Sequence, residues 1–220
     1  TTNRAAYMTA VKQMEIRELP IPRAGAGEVV LNVEYVGVCG SDVHFFESGM
    51  RKGKFFDLPF ILGHECAGTI VETGPGVTGL RQGDRVCFEP QITCGTCVYC
   101  RSGHYNMCPD VQFPSVPPHD GMLRDFVAIP AHLAYKLPDS ISTLEGALIE
   151  PLAVGLSAAS RGGVSLGQSV VILGAGCIGL LTMMACKARG AAKVILCDLF
   201  PSRLQKALEV GGDTVINARE

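Results

Sequence analysis

Four cysteines, Cys94, Cys97, Cys100 and Cys108, lie within fifteen residues in the spacing C-x2-C-x2-C-x7-C, and this cluster restricts the folding of the 220-residue chain more tightly than any other motif in it. Gly95, Gly103 and Pro109 break the segment into turns short enough for the four sulfurs to converge. Tetrahedral Zn2+, with Zn–S bonds of about 2.3 Å, needs such a compact set, and four thiolates leave no position open for a substrate. The expected role is a structural zinc site. The segment QITCGTCVYCRSGHYNMCPD is too polar to bury four idle thiols, and two-residue spacings are too short for unstrained disulfides. An iron–sulfur cluster satisfies the ligand type alone. His104 sits inside the same lobe, but four sulfurs leave it no vacancy, so it reads as a surface turn residue.

Ten cysteines in a secreted chain of this size would suggest disulfides, whereas in a reducing compartment they point to metal or catalysis. The stretch TTNRAAYMTAVKQMEIREL lacks the apolar core and cleavage site of a secretory signal, and no run approaches about 18 apolar residues. A cytoplasmic protein without membrane association is therefore expected. Lys+Arg number 19 against 21 Asp+Glu, a formal charge of −2, so no basic excess recruits nucleic acid. Cys66, Cys87, Cys177, Cys186 and Cys197 occupy apolar contexts and read as core packing.

The pattern predicts an α/β chain. Residues 27–38, 66–73, 85–88, 125–129 and 132–137 read as strands separated by turn chemistry such as Gly74-Pro75-Gly76, with a short helix starting near Ser41-Asp42. The character changes after EPLAVGLSAASRGG (150–163), a helix ending at a glycine pair. SVVILGAG (169–176), CIGLLTMMACKARG, KVILCD (193–198), a helix over 201–210 and a strand over 214–216 then follow in β-α-β-α-β order, which predicts a parallel sheet. The boundary is drawn at 155/156: a mainly β domain over 1–155 with the cysteine lobe at 90–110, and the first half of a doubly wound sheet over 156–220. A complete dinucleotide fold has six strands, so the chain reads as ending after three of them.

Two constellations in this frame carry chemistry. Gly174-Ala175-Gly176-Cys177-Ile178-Gly179 fits G-x-G-x-x-G, follows a buried strand and opens a helix, the context that makes the motif a dinucleotide site. Its glycines serve a tight turn, approach to a pyrophosphate, and helix–strand packing, while the helix N-terminus attracts the phosphates. Asp198 ends the next strand, 19 residues after Gly179, where a carboxylate accepts from a ribose 2′-hydroxyl and repels a 2′-phosphate, so NAD is favoured over NADP. A helix N-cap is its plainer role, and both can hold at once. The second constellation is Cys39, His64, Glu65 and Glu150, a mixed S/N/O set that suits catalytic zinc with one open position. Taken singly, each is equally a core thiol, a hydrogen-bonded histidine or a surface acid.

GVCGSDVHFF (37–46), LGHECAGTIVETGPGV (62–77), GDRV (83–86), the four-cysteine lobe and EPLAVG (150–155) together resemble the zinc-dependent medium-chain alcohol/polyol dehydrogenases, in order over essentially the whole chain. Glu65, Glu150 and FPSVPPHDGMLRDF (113–126) resemble the sorbitol (L-iditol) and xylitol branch; the threonine, butanediol, glucose and galactitol types share parts of the pattern. The resemblance implies a GroES-like catalytic domain followed by a Rossmann domain. It also implies Cys39, His64 and Glu65 as catalytic zinc ligands, with Glu150 holding water, contacting substrate or exchanging as ligand. Ser41 and His44 match positions that bond the substrate oxygen and pass its proton outward; an N-cap and an amphipathic helix residue are their plainer roles. Phe45 stands where a tyrosine is common, Arg203 flanks the adenine ribose, and Gly174, Gly176, Ile178, Gly179 and Asp198 hold the cofactor. The implied activity is polyol–ketose interconversion by hydride transfer, in a homo-oligomer, commonly a tetramer. A non-catalytic NAD- and zinc-binding scaffold or an inactive fragment is the competing class.

Overall fold

The computed structural model of the chain describes residues 2–51, 54–55 and 57–220. These residues divide into two compact units, Thr1–Leu148 and Ile149–Glu220. The first unit opens with a hairpin, β1 (Asn3–Ala10) and β2 (Gln13–Leu19). It continues through β3 (Glu28–Gly37), α1 (Gly40–Ser48), the short β4 (Met50–Arg51), β5 (Lys54–Phe55) and β6 (Phe60–Ile61), then β7 (Glu65–Thr73) and β8 (Arg85–Phe88). A cysteine-bearing excursion contains α2 (Val98–Arg101), after which β9 (Phe126–Pro130), β10 (Ala134–Lys136) and α3 (Thr143–Gly146) complete the unit.

Five of these strands form an antiparallel sheet in the order β10-β8-β7-β3-β9, and β2-β1-β6 form a second. The centre of the larger sheet is the β3–β7 ladder, whose valines and isoleucine favour a pleated, buried surface. Val29, Leu31, Ile70 and Val86 are fully buried and pack with Phe88, Met122 and Ile129 into one core. The ladder ends with Val36 opposite Cys66 and Gly37 opposite Glu65, and its register shifts twice, between Val30 and Leu31 and between Val33 and Tyr35. The β1–β2 hairpin was not evident in the sequence because β2 is exposed along most of its length and is held by pairing with β1 instead of an apolar face.

In the second unit α4 (Ile149–Arg161), β11 (Ser169–Leu173), α5 (Cys177–Ala188), β12 (Lys193–Asp198), α6 (Pro201–Glu209) and β13 (Thr214–Asn217) alternate. The three strands are parallel in the order β11-β12-β13, the α/β pattern expected. Val194 and Leu196 of central β12 are fully buried among Ile172, Met183, Cys186 and Leu204. The expected boundary at 155/156 falls inside α4, whereas the compact units part just before it.

Two local expectations are corrected. Cys66, Cys87 and Cys186 are buried and Cys197 is half-buried, but Cys177 is exposed, because it is the first residue of α5 and lies outside the packed stripe of that helix. Helix α1 is capped by Cys39, not by Ser41 or Asp42; the Asp42 carboxylate, three residues on, accepts the Cys39 N–H at 3.1 Å.

Candidate metal centres and nucleotide loop

The cysteine lobe brings Cys94, Cys97, Cys100 and Cys108 together so that their sulfurs all lie within 4.8 Å of one another. Cys97 and Cys100 sulfurs are 3.5 Å apart, and Cys94 and Cys100 sulfurs 3.9 Å. A tetrahedron with bonds of about 2.3 Å has edges of about 3.8 Å, so the cage matches zinc and is far too open for an S–S bond. All ten cysteines are free thiols. Backbone amides of Cys97 and Cys100 donate to the sulfurs of Cys94 and Cys97 at 3.3 and 3.4 Å. N–H groups of Thr96 and Cys97 lower the Cys94 pKa to about 6, while burial and the neighbouring Cys97 push Cys100 up to about 11. His104 is exposed and shares a 3.2 Å contact with the Ser102 hydroxyl, as a surface turn residue does.

A second group forms where the β3–β7 ladder ends. Cys39 follows β3 by two residues, and His64 and Glu65 sit at the entry to β7, so their ligand atoms come within 4.8 Å of one another. His64 and Glu65 are each only 6% exposed. Burial raises the pKa of the Cys39 thiol and of the Glu65 carboxyl, and the two groups also share a hydrogen bond. The His64 Nδ1 atom is buried without a hydrogen-bond partner. Two anion-forming groups and an imidazole, with His64 and Glu65 buried and Cys39 half-buried, form a costly set by themselves and a suitable one around a divalent cation. This donor chemistry fits zinc.

The surrounding residues hold that set. Asp42 is buried, accepts from the amides of Cys39 and Gly63, and presents Oδ1 3.7 Å from His64 Nδ1. Phe113 meets the His64 ring edge-on at 5.2 Å between centroids. A Cβ at position 37 would strike the Glu65 carboxylate, so glycine there is what lets the acid lie across the end of the ladder. Gly37 and Phe113 lie in segments that carry the resemblance, but their particular roles were not read from the sequence, since these depend on strand register and on a loop 49 residues from His64.

The remaining expected site residues are distributed as follows. Ser41 is half-buried, two residues from Cys39 in the first turn of α1, and its polar groups favour the Cys39 thiolate against the burial that raises the thiol pKa. His44 is exposed one turn further along α1. Phe45 points into the core with Met8, Phe60 and Leu62, a packing role that explains a ring without a hydroxyl. Glu150 is half-buried in the first turn of α4, in the second unit.

The glycine loop joins β11 to α5. Gly174 has φ of +103°, the left-handed region open to glycine, and its N–H donates to the Cys197 carbonyl at 2.7 Å. A Cβ at Gly179 would collide with the Gly174 carbonyl. Gly176 is different: its φ of −76° suits any residue, and an added Cβ would meet nothing within 4 Å. Neither backbone nor packing asks for glycine there, which fits a ligand approaching closely. Ile178 is 40% exposed on the first turn. Asp198 accepts from Ala175 N–H at 2.8 Å, Leu199 N–H at 2.7 Å and Phe200 N–H at 3.0 Å. These donors, Ala175 first, hold its pKa below the usual carboxylate value. Asp198 does not cap α6, whose N-cap is Phe200 with no side-chain bond to the helix amides; an ionised carboxylate offers about four lone-pair sites, so these three donors leave capacity for one more. Arg203 sits 3.7 Å from Asp198 and over the Phe200 ring, so it is tethered and not merely solvated.

Residues 25–139 match the alcohol dehydrogenase GroES-like domain. Sorbitol dehydrogenase from Bacillus subtilis is 43% identical over 217 residues, 99% of this chain and 62% of that protein. Sorbitol dehydrogenase from Rattus norvegicus is 48% identical over 204 residues, 92% of this chain and 57% of its own length. The chain thus spans about three fifths of the curated relatives it matches. Among solved structures, an oxidoreductase/dehydrogenase of unknown specificity from Escherichia coli superposes with TM-score 0.93 at 44% identity, over 100% of this chain and 64% of that one. A zinc-binding dehydrogenase from Sinorhizobium meliloti bound to NADP has TM-score 0.91 at 31% identity, over 100% and 63% of the two chains. An Escherichia coli alcohol dehydrogenase complexed with NADH has TM-score 0.90 at 31% identity, again over 100% and 63%. No helix among the described residues is long and apolar enough to cross a membrane.

Proposed function

The chain belongs to the zinc-type medium-chain alcohol/polyol dehydrogenases, and from that membership we propose that it oxidises a secondary alcohol of a polyol to the ketose, reversibly, with NAD as hydride acceptor. The observation that carries this reading is the convergence of half-buried Cys39 with buried His64 and Glu65, three donors of mixed type that would leave one tetrahedral position for a substrate. These residues would hold the catalytic zinc, and the four-cysteine cage a structural one. Zinc at such a site supplies Lewis acidity that lowers the pKa of an alcohol towards neutrality, as it does for water. Nicotinamide supplies the hydride-accepting carbon.

The chain's own residues bind, orient and move the proton. Ser41, two residues beyond Cys39, would accept the substrate hydroxyl proton at Oγ as it releases its own hydroxyl proton outward. His44 lies three residues on, along the same face of α1, and passes the proton to water from its exposed position. Gly174, Gly176, Ile178 and Gly179 shape the pyrophosphate seat at the start of α5. Asp198 accepts from the adenosine ribose and disfavours a 2′-phosphate; Arg203, held beside it, lines the same region. Glu150 would contact substrate, hold water or exchange as a ligand in this reading.

The test pairs zinc content with NADH formation over sorbitol, xylitol, L-iditol, galactitol, threonine and butanediol. The unmodified chain should hold two zincs and turn over a polyol, and Cys39→Ser should keep one zinc and lose turnover. Two zincs with full activity in Cys39→Ser would sink the ligand assignment. One zinc and no turnover in the unmodified chain would favour a non-catalytic scaffold.

A further inference from the structure

We propose that Ser115 is a positioning residue for the His64 ligand, acting through the Asp42 carboxylate; this rests on the reading of Cys39, His64 and Glu65 as a metal site. Ser115 is fully buried, at 0% exposure. It is also held at φ +71°, in the left-handed region where residues with a Cβ are disfavoured. Glycine would take that conformation without strain, so the side chain must supply something the backbone position does not require.

What it supplies is a hydrogen bond. The Ser115 hydroxyl donates to Asp42 Oδ1 at 2.6 Å and accepts the Gly63 N–H at 3.0 Å. The same Gly63 N–H reaches Asp42 Oδ1 at 3.2 Å, and Asp42 Oδ2 takes the Cys39 N–H at 3.1 Å. One carboxylate therefore grips the backbone of Cys39 and of the residue preceding His64, and aims Oδ1 at the His64 Nδ1 atom 3.7 Å away. That nitrogen has no other partner. The short Ser115 bond fixes the rotation of the carboxylate and hence which oxygen faces the imidazole. Ser115 is too deeply buried to touch a substrate, so its influence passes through the Asp42 carboxylate and the Gly63 amide that both of them hold. Partners of this kind behind a metal-bound histidine are worth 10–100-fold in metal affinity.

The test compares the unmodified chain, loaded with Zn2+ and separately with Co2+, with Ser115→Gly and Ser115→Ala. The readouts are melting temperature, the rate of metal loss to a chelator at each site, and the cobalt ligand-field spectrum. Ser115→Gly relieves the left-handed strain, so it should melt no lower than the unmodified chain. It should nevertheless lose metal from the mixed-ligand site about tenfold faster, with a shifted cobalt band and an unchanged cysteine cage. Ser115→Ala should lose metal equally fast while melting lower than the glycine variant. Metal loss at the unmodified rate with an unshifted band would overturn the proposal. So would parallel loss from both sites together with a lower melting temperature, the signature of a merely structural role. If the unmodified chain binds metal in the cysteine cage alone, the site reading itself falls before any variant is examined.

Discussion

Gly176 and Gly179 lie three residues apart in one loop, yet substituting each with alanine should fail in a different way. At Gly179 the new Cβ would run into the Gly174 carbonyl, a backbone atom that cannot swing aside as a flexible side chain can. The strand–turn–helix must open to admit it, a strain of about 1–3 kcal/mol, which multiplies the unfolding equilibrium constant by roughly 5 to 140. At Gly176 the backbone is already acceptable for alanine and the methyl enters empty space. A small loss in capping preference and a small gain from a stiffer unfolded chain leave stability within about 1 kcal/mol. The methyl does occupy space in front of the α5 N-terminus, so NADH affinity should fall at least about tenfold, or 1.4 kcal/mol. Urea unfolding, followed by circular dichroism and by hydrogen exchange in the second unit, separates the stability effects. Fluorescence titration with NADH reads binding. If Gly176→Ala unfolds as easily as Gly179→Ala, or binds NADH like the unmodified chain, the assignment of separate duties to the two glycines is wrong.

Cys100→Ala should remove one zinc per chain by elemental analysis and loosen the lobe to proteolysis, while leaving metal at Cys39, His64 and Glu65. Gly37→Ala should do the converse, because its Cβ displaces the Glu65 carboxylate and spares the cage; equal zinc loss from both sites would contradict it. Asp198 titrates lower in the fold than its unfolded value of about 3.9. Its contribution is therefore complete above about pH 4 and lost as pH falls through the lower folded value, the sign expected for a depressed carboxylate. The protection factor of the Ala175 amide should follow that curve, and in Asp198→Asn the amide should already exchange faster at neutral pH.

The elements legible in advance were those whose chemistry is local. The four-cysteine spacing and the glycine loop after an apolar strand each lie within about fifteen residues, and the β-α-β alternation runs through consecutive segments, so none of them needs knowledge of pairing. Two kinds of feature were hidden. Strand β2 has no apolar face to betray it, and Cys177 sits in an apolar run that happens to begin at an exposed helix end. The supports of the mixed-ligand site depend on segments far apart in sequence: Ser115 reaches Asp42 across 73 residues, and Gly37 matters only because it faces Glu65 in the ladder. Composition says nothing of such meetings. Phe45, standing where a tyrosine is common, packs against Met8 and Phe60, a partnership equally remote in sequence.

The β3–β7 pairing also acts as a proofreading device for the metal set. Side chains alternate faces along a strand, so a slip of one residue would turn Glu65 to the opposite side of the sheet and carry Cys39 away from it. The two register shifts in this ladder pin the alignment, as irregularities of this kind do. A molecule that closed the ladder one step out of place would retain much of its sheet, bind zinc in the cysteine cage, and never assemble the other trio. Added zinc would not recover such a molecule, because its defect lies in strand alignment and only unfolding erases it.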